Sequence, residues 1–282
     1  MIAADVRPTA AAIVADDWGD RRAWFAFAVD HPRCDVMVAE VDGTIVGTGV
    51  TTRNGAVGWI GTIWVASAWR GRGLGRDLTQ ATIDAAEAAG CRTLVLVATA
   101  AGRPLYERLG FEVRSWYRTV EAPGRLGVPR APDGRGGRGD RGGPRVRPYR
   151  TDDLASLVRL DAAATGEDRA HLLAAFATPD TTRVVTGPAD EPRGFLVRAP
   201  WGGGATIAPD PADALALLDA RRDAYPADRL VRAGLLLDNE AGFARLAADG
   251  WVEAWRAPRL ERGAPLSWDP GAIWGQFNHA VG

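Results

Sequence analysis

The sequence predicts an α/β protein with mixed sheets, built as two related halves. Each half is an antiparallel meander that passes through a helical crossover into a parallel strand. Three observations carry this. Two-residue hairpin signals, Asp42-Gly43 and Asn54-Gly55, separate three strand-like runs. A glycine-rich turn, Arg70-Gly71-Arg72-Gly73-Leu74-Gly75-Arg76, then opens a helical run. Finally, a stretch rich in Gly, Arg and Pro from 123 to 144 divides the 282 residues into halves of similar size whose landmarks fall at similar spacing.

The first half reads, in order, as a helical region from about Thr9 to Asp30 and then strands over 35–41, 44–53 and 56–65. Next comes the glycine turn and a helix over 74–89, with Leu74, Leu78, Ala81, Ala85 and Ala88 on one face. Leu94-Val95-Leu96-Val97 is a continuous apolar run, as a buried parallel strand requires. A helix over 104–109 and a strand over 111–120 finish the half. The second half repeats the landmarks. Asp152-Asp153-Leu154 opens a helix as Ala4-Asp5-Val6 does, after a short strand over 145–149. Ala248-Asp249-Gly250-Trp251 parallels Arg108-Leu109-Gly110-Phe111, each placing Gly after a helix and an aromatic at a strand's start. The expected division is 1–122, a linker over 123–144, and 145–282. The first half lacks a strand ahead of its Asp5 helix, so that sheet edge is left to be filled.

Composition narrows the function classes. The net charge is −1, which does not favour a nucleic-acid partner. All 34 basic residues are arginine, as in a chain from a GC-rich genome. No apolar run suggests a membrane span and no signal peptide is expected. Cys34 and Cys91 make neither a disulfide framework nor a metal site, and a cytoplasmic location is the simplest expectation. A monomer or homodimer fits equally well.

Chemistry enters at the glycine turn. Glycines let the backbone curl until successive N–H groups point at one spot, and the helix N-terminus adds partial positive charge there. Such a turn suits a pyrophosphate. The strand–turn–helix order, with Arg70, Gly73 and Gly75, resembles the signature of the GNAT acetyltransferase superfamily. A second signature stands as Leu105-Tyr106-Glu107-Arg108-Leu109-Gly110-Phe111. The resemblance implies that the amides from Gly71 to Arg76, including those of Leu74 and Gly75, bind the pyrophosphate of acetyl-CoA, with Arg70, Arg72 and Arg76 as nearby charge. It implies that the strand end near Val65 pairs with the pantetheine arm, and that Gly58 and Gly61 permit a bulge or a close approach. It also implies that Tyr106 is the general acid for the leaving thiolate, and that no metal takes part.

The general base is not visible, since 56–65 holds no carboxylate or histidine. His31, Asp30 and Asp35 lie near the expected acceptor entrance; a water chain or a residue of the second half is as good a candidate. Thr99 stands where the family often has a pantetheine-contacting Asn.

The second half keeps Asn239 at that position, but Leu246 replaces the tyrosine. Ile207 to Asp213 offers acids and two prolines where the pyrophosphate turn would fall, and proline donates no N–H while carboxylates repel phosphate. It resembles the degenerate C-terminal half of tandem, YitH-like bacterial GNAT proteins. Mycothiol synthase, a tandem whose C-terminal copy is catalytic, has the opposite polarity. Thr165 to Leu173 is expected either to cap a helix or to form an acceptor wall through Glu167, Asp168 or His171, and the 274–279 tail to fold back over the interface. The expected function is acetyl-CoA-dependent N-acetylation of a small amine; the alternative is a non-catalytic acyl-CoA or metabolite sensor.

Overall fold

The protein is described by a computed structural model over residues 1–127 and 143–282. The first half runs α1 (Val6–Ala15), α2 (Arg22–Asp30), β1 (Cys34–Val41), β2 (Thr44–Asn54), β3 (Val57–Val65), α3 (Leu74–Ala88), β4 (Thr93–Val97), α4 (Arg103–Arg108) and β5 (Glu112–Pro123). The second runs β6 (Arg145–Pro148), α5 (Leu154–Thr165), α6 (Ala170–Phe176), β7 (Thr182–Thr186), β8 (Pro192–Arg198), β9 (Gly204–Ile207), α7 (Pro211–Asp223), β10 (Leu230–Leu236), α8 (Glu240–Ala248), β11 (Val252–Gly263) and β12 (Ile273–Gly275).

The helical region expected over 9–30 is two helices. Asp17 and Gly19 adopt left-handed backbone (φ 62° and 72°), which an α-helix cannot accommodate. Most of the expected linker, 128–142, lies outside the described residues. Within that linker, Pro123 ends β5 and the next two residues bond to the second half: the Gly124 N–H donates to the Arg229 carbonyl at 2.9 Å, and Arg125 pairs with Asp219 and Asp249 at 2.7 and 2.8 Å. Among the described residues, no strand pairs along the outer edge of β1.

Seven strands form one sheet in the order β1-β2-β3-β4-β11-β5-β10, and five form another in the order β12-β9-β8-β7-β6. The second half's long strand β11 therefore lies between β4 and β5, and β5 lies between β11 and β10. All three of these pairings are antiparallel. Each half thus lends its last long strand to the other, and the hydrogen bonds that complete one half come from its neighbour.

The seven-stranded sheet has two covered faces. Ile60, Leu94 and Leu96 meet Ile83 and Ala86 of α3 on one. On the other, Trp59, Trp64 and Val95 share a continuous core with Trp24 and Phe25 of α2, Leu157 of α5 and Leu172 of α6. In the first half, β3 and β4 are parallel and bonded only over Val57–Trp59 against Thr93–Val95. Beyond that register β3 continues to Val65 without β4 alongside, leaving a slot that opens toward the glycine turn.

Candidate active site

The glycine turn follows the open end of that slot. Gly71 and Gly73 have φ of 76° and 90°, the region that disfavours any side chain, and Gly73 is the residue before the first turn of α3. Among the described residues, the N–H groups of Gly71, Arg72 and Gly73 have no partner, whereas that of Arg76 donates to the Gly73 carbonyl at 2.9 Å. The amides of Leu74 and Gly75 head the helix, ahead of any intrahelical acceptor. A nest of donors on a helix N-terminus is the geometry that receives a phosphate. A Cβ built on Gly75 would lie 3.8 Å from Val65 and 4.0 Å from Leu105, so α3, β3 and α4 converge there.

The arginines divide in their roles. Arg70 is a brace: its Nε donates to the Val65 carbonyl at 3.0 Å and its Nη2 to Asp16 at 2.8 Å. The same Asp16 oxygen accepts from Trp64 Nε1 and the Ser67 N–H, both at 3.1 Å. Arg72 lies over the Trp69 ring at 4.6 Å, and both Arg72 and Arg76 face solvent.

Tyr106 sits in α4 against Phe111, ring centroids 6.3 Å apart, and burial pushes its hydroxyl pKa up to about 12. It therefore stays protonated at neutral pH. Thr99 lies in the turn ahead of the same helix, its Oγ1 accepting from the Gly102 N–H at 3.1 Å.

The irregularity in β3 falls at Thr62, not at a glycine. Its φ is 52°, an uncommon value for a β-branched residue, and the β2 register slips there between Thr48 and Val50. The strained residue is held from two sides: Thr48 Oγ1 donates to its carbonyl at 2.8 Å and Trp24 Nε1 to its Oγ1 at 3.1 Å. The two nearby glycines serve close approach instead. Gly58 admits Ala86 and Leu94, and Gly61 admits Ala280.

A buried carboxylate reaches β2 and β3 from the other half. Glu167 is buried, and its Oε2 accepts from Asn54 Nδ2 at 2.6 Å and Trp59 Nε1 at 2.9 Å. Burial raises its pKa, against the opposing pull of Arg169. Its loop is fixed by left-handed Gly166 (φ 70°) and by the buried, two-pronged Arg169–Asp161 pair at 2.6 and 2.9 Å. The other acceptor-side candidates lie at the rim. His31 Nδ1 accepts the Arg33 N–H at 3.1 Å and its ring stacks on Phe27. Burial and then Arg33 lower its pKa, so it is neutral. His171, 4.9 Å from it, is pushed down to about 4, chiefly by burial. Asp168 pairs with Arg33 at 2.8 Å and Asp35 with Arg53 at 3.3 Å; Asp30 lies exposed at the end of α2.

Sequence reasoning missed Asn54 and Arg259. Arg259, buried on β11, faces Trp59 and Trp268 across the shared core. Neither could be found from the local pattern, because Asn54 meets Glu167 and Val281, and Arg259 meets Trp59, only where the two halves pack together.

The second half's counterpart slot is closed. β12 pairs with β9 (Ile273 with Ile207, Gly275 with Thr206) and also lies against β10. Asn239 caps α8 through its Oδ1, while its Nδ2 donates to the Gly271 carbonyl at 3.0 Å. Trp274 is fully buried, its Nε1 bonded to the Ala208 carbonyl at 3.1 Å. The start of α7 is occupied by its own acid: Asp210 accepts from the Ala212 N–H at 2.7 Å, and Pro211 donates nothing. Leu246 is buried in the apolar core.

Comparison with known proteins agrees with this geometry. The profile of the Acetyltransferase (GNAT) family matches residues 4–111. No curated protein sequence matches the chain. Among solved structures, a candidate acetyltransferase from Pyrococcus horikoshii is similar over 100% of this chain and 94% of its own, at 18% identity and TM-score 0.79. A GCN5-related N-acetyltransferase from Sphaerobacter thermophilus is similar over 94% of both chains, at 18% identity and TM-score 0.63. A tandem GNAT protein from the clavulanic acid biosynthesis pathway is similar over 92% of this chain and 95% of its own, at 15% identity and TM-score 0.61. Residues 4–111 thus match the Acetyltransferase (GNAT) family, and the chain as a whole shares the fold of tandem GNAT structures.

Proposed function

We propose that the chain transfers an acetyl group from acetyl-CoA to a small amine, at the first half's slot alone. The single observation that carries this reading is the coincidence of two features. The slot between β3 and β4 opens beyond Trp59, and a left-handed glycine nest heads α3 at its mouth. In this reading the amides of Gly71 to Gly75 hold the pyrophosphate, with Arg72 and Arg76 as outer charge. Arg70 shapes the turn, and the pantetheine runs along β3 from Val65 toward Thr62. Tyr106, kept protonated by its burial, gives its proton to the departing thiolate. The amine attacks the thioester carbon, the carbon–sulfur bond breaks, and the amine's proton leaves to a nearby base or water.

The division of labour follows from the closed second slot. The second half binds no coenzyme and shapes the acceptor side, to which it brings Glu167 and the 276–282 segment. The test is thiol release from acetyl-CoA over a panel of small amines, with Tyr106→Phe as the control. Turnover that falls in Tyr106→Phe while CoA affinity holds supports the reading. CoA binding with no turnover on any amine favours a sensor, which the lack of a carboxylate on β3 also favours.

A further inference from the structure

The residues after β12 leave the second half's closed slot and cross to the open one. Trp201 Nε1 donates to the Phe277 carbonyl at 2.9 Å, and Phe277 is fully buried among the shared aromatic residues. From that anchor, 278–282 form a compact turn. The Phe277 N–H donates to the Gly282 carbonyl at 3.0 Å, the Gly282 N–H to the Asn278 carbonyl at 3.2 Å, and the Ala280 N–H to Asn278 Oδ1 at 2.6 Å.

The place where this turn rests is decisive. One face of β3 is packed against α3, so an acceptor can reach the strand only from the opposite face, the one Trp59 and Gly61 present. The turn lies on that face. A Cβ added to Gly61 would stand 2.3 Å from the Ala280 Cβ and 2.5 Å from its Cα. Gly282 sits against the Trp59 indole, and the Val281 carbonyl accepts from Asn54 Nδ2 at 2.9 Å. Gly61 adjoins the strained Thr62, where the proposed reaction places the thioester.

Packing, not backbone pairing, holds the turn: Ala280 and Val281 are buried in the shared core. Among the described residues, no backbone–backbone hydrogen bond joins 277–282 to the rest of the chain; the bonds to it come from the side chains of Asn54 and Trp201. The closed position also leaves polar groups unsatisfied: His279 Nδ1, both polar atoms of Gln276 and Asn54 Oδ1 are buried without partners. Such groups regain hydrogen bonds when the turn leaves, which lowers the cost of opening.

We propose that Asn278–Gly282 is a gate hinged at Phe277, which closes the acceptor face of the β3 slot and lifts to admit the amine. Lifting uncovers Gly61, the free side of Asn54 and the Glu167 carboxylate, between the rings of Tyr117 and Trp255 that His279 now covers at 5.4 Å each. This rests on the function proposed above, so its test has one arm that needs no coenzyme.

That arm is hydrogen exchange on the full-length protein. The amides of Ala280 and Gly282 exchange at least ~100-fold faster than those of the β2–β3 ladder if the turn is a gate; equal protection overturns it. The second arm measures thiol release from acetyl-CoA without amine. A variant lacking 278–282, and Gly61→Ala, whose methyl expels Ala280, are expected to hydrolyse acetyl-CoA about 10-fold faster than the full-length chain, because water reaches the thioester. Unchanged hydrolysis in variants that keep CoA affinity overturns the gate. Failure of every chain to bind acetyl-CoA overturns the proposed function instead, and the exchange arm then decides the gate by itself.

Discussion

The two slots of this molecule share a plan and differ in who occupies them. In the first, β3 and β4 part after Trp59 and Val95, and a glycine nest stands at the mouth. In the second, the chain's own β12 is bonded along β9, Asn239 grips the Gly271 carbonyl, and Asp210 and Pro211 close the helix end. Asn239 is instructive. In the family it resembles, this position often contacts the pantetheine; here it makes a bond of that kind to a peptide carbonyl. In the second half a strand of the chain itself, β12, fills the space beside β9. The occupant then continues into the neighbouring slot, which ties the two halves together.

The comparison breaks most readily at Tyr106. Tyr106→Phe is expected to lower turnover by ~100-fold or more with CoA affinity unchanged, the usual scale for a general acid; steady-state kinetics beside calorimetry would read both. Gly73→Val follows. A β-branched residue at φ 90° carries strain of about 1–3 kcal/mol, so CoA affinity in the first slot is expected to fall roughly 10- to 100-fold. Asp210→Ala, the matching change in the second half, is expected to leave that affinity alone. Asn239→Ala sharpens the contrast from the stability side. Loss of its cap and its bond to Gly271 is expected to cost about 1–2 kcal/mol in denaturant unfolding without touching CoA binding.

The smallest effect is one of pH. His171 and His279 both have pKa values pushed down to about 4 from 6.5, chiefly by burial. The unfolded chain takes up protons that the folded one refuses, so stability is full above pH 6.5 and falls as the pH drops through 6.5 toward 4. His279→Gln is expected to flatten part of that decline in Tm, and to do so through the gate.

Much of this was legible in the sequence for physical reasons. Asn54-Gly55 and Asp42-Gly43 place the hairpins because few other residues adopt left-handed turns, and Gly73 takes the left-handed backbone expected ahead of α3. The exchange of β5 and β11 was not legible. Alternation along a strand tells which face is buried but not which strand lies beside it, and a partner more than 100 residues away leaves no local trace. The Glu167 carboxylate illustrates the same limit: it stood out as part of a polar run, but its contact with Trp59 depends on the packing of one half on the other.

Titration calorimetry of the full-length protein with CoA tests the central contrast most directly. One site per chain, weakened by Gly73→Val and untouched by Asp210→Ala, is the predicted result. Two sites per chain, no binding heat, or a site that survives Gly73→Val and is lost in Asp210→Ala would contradict it.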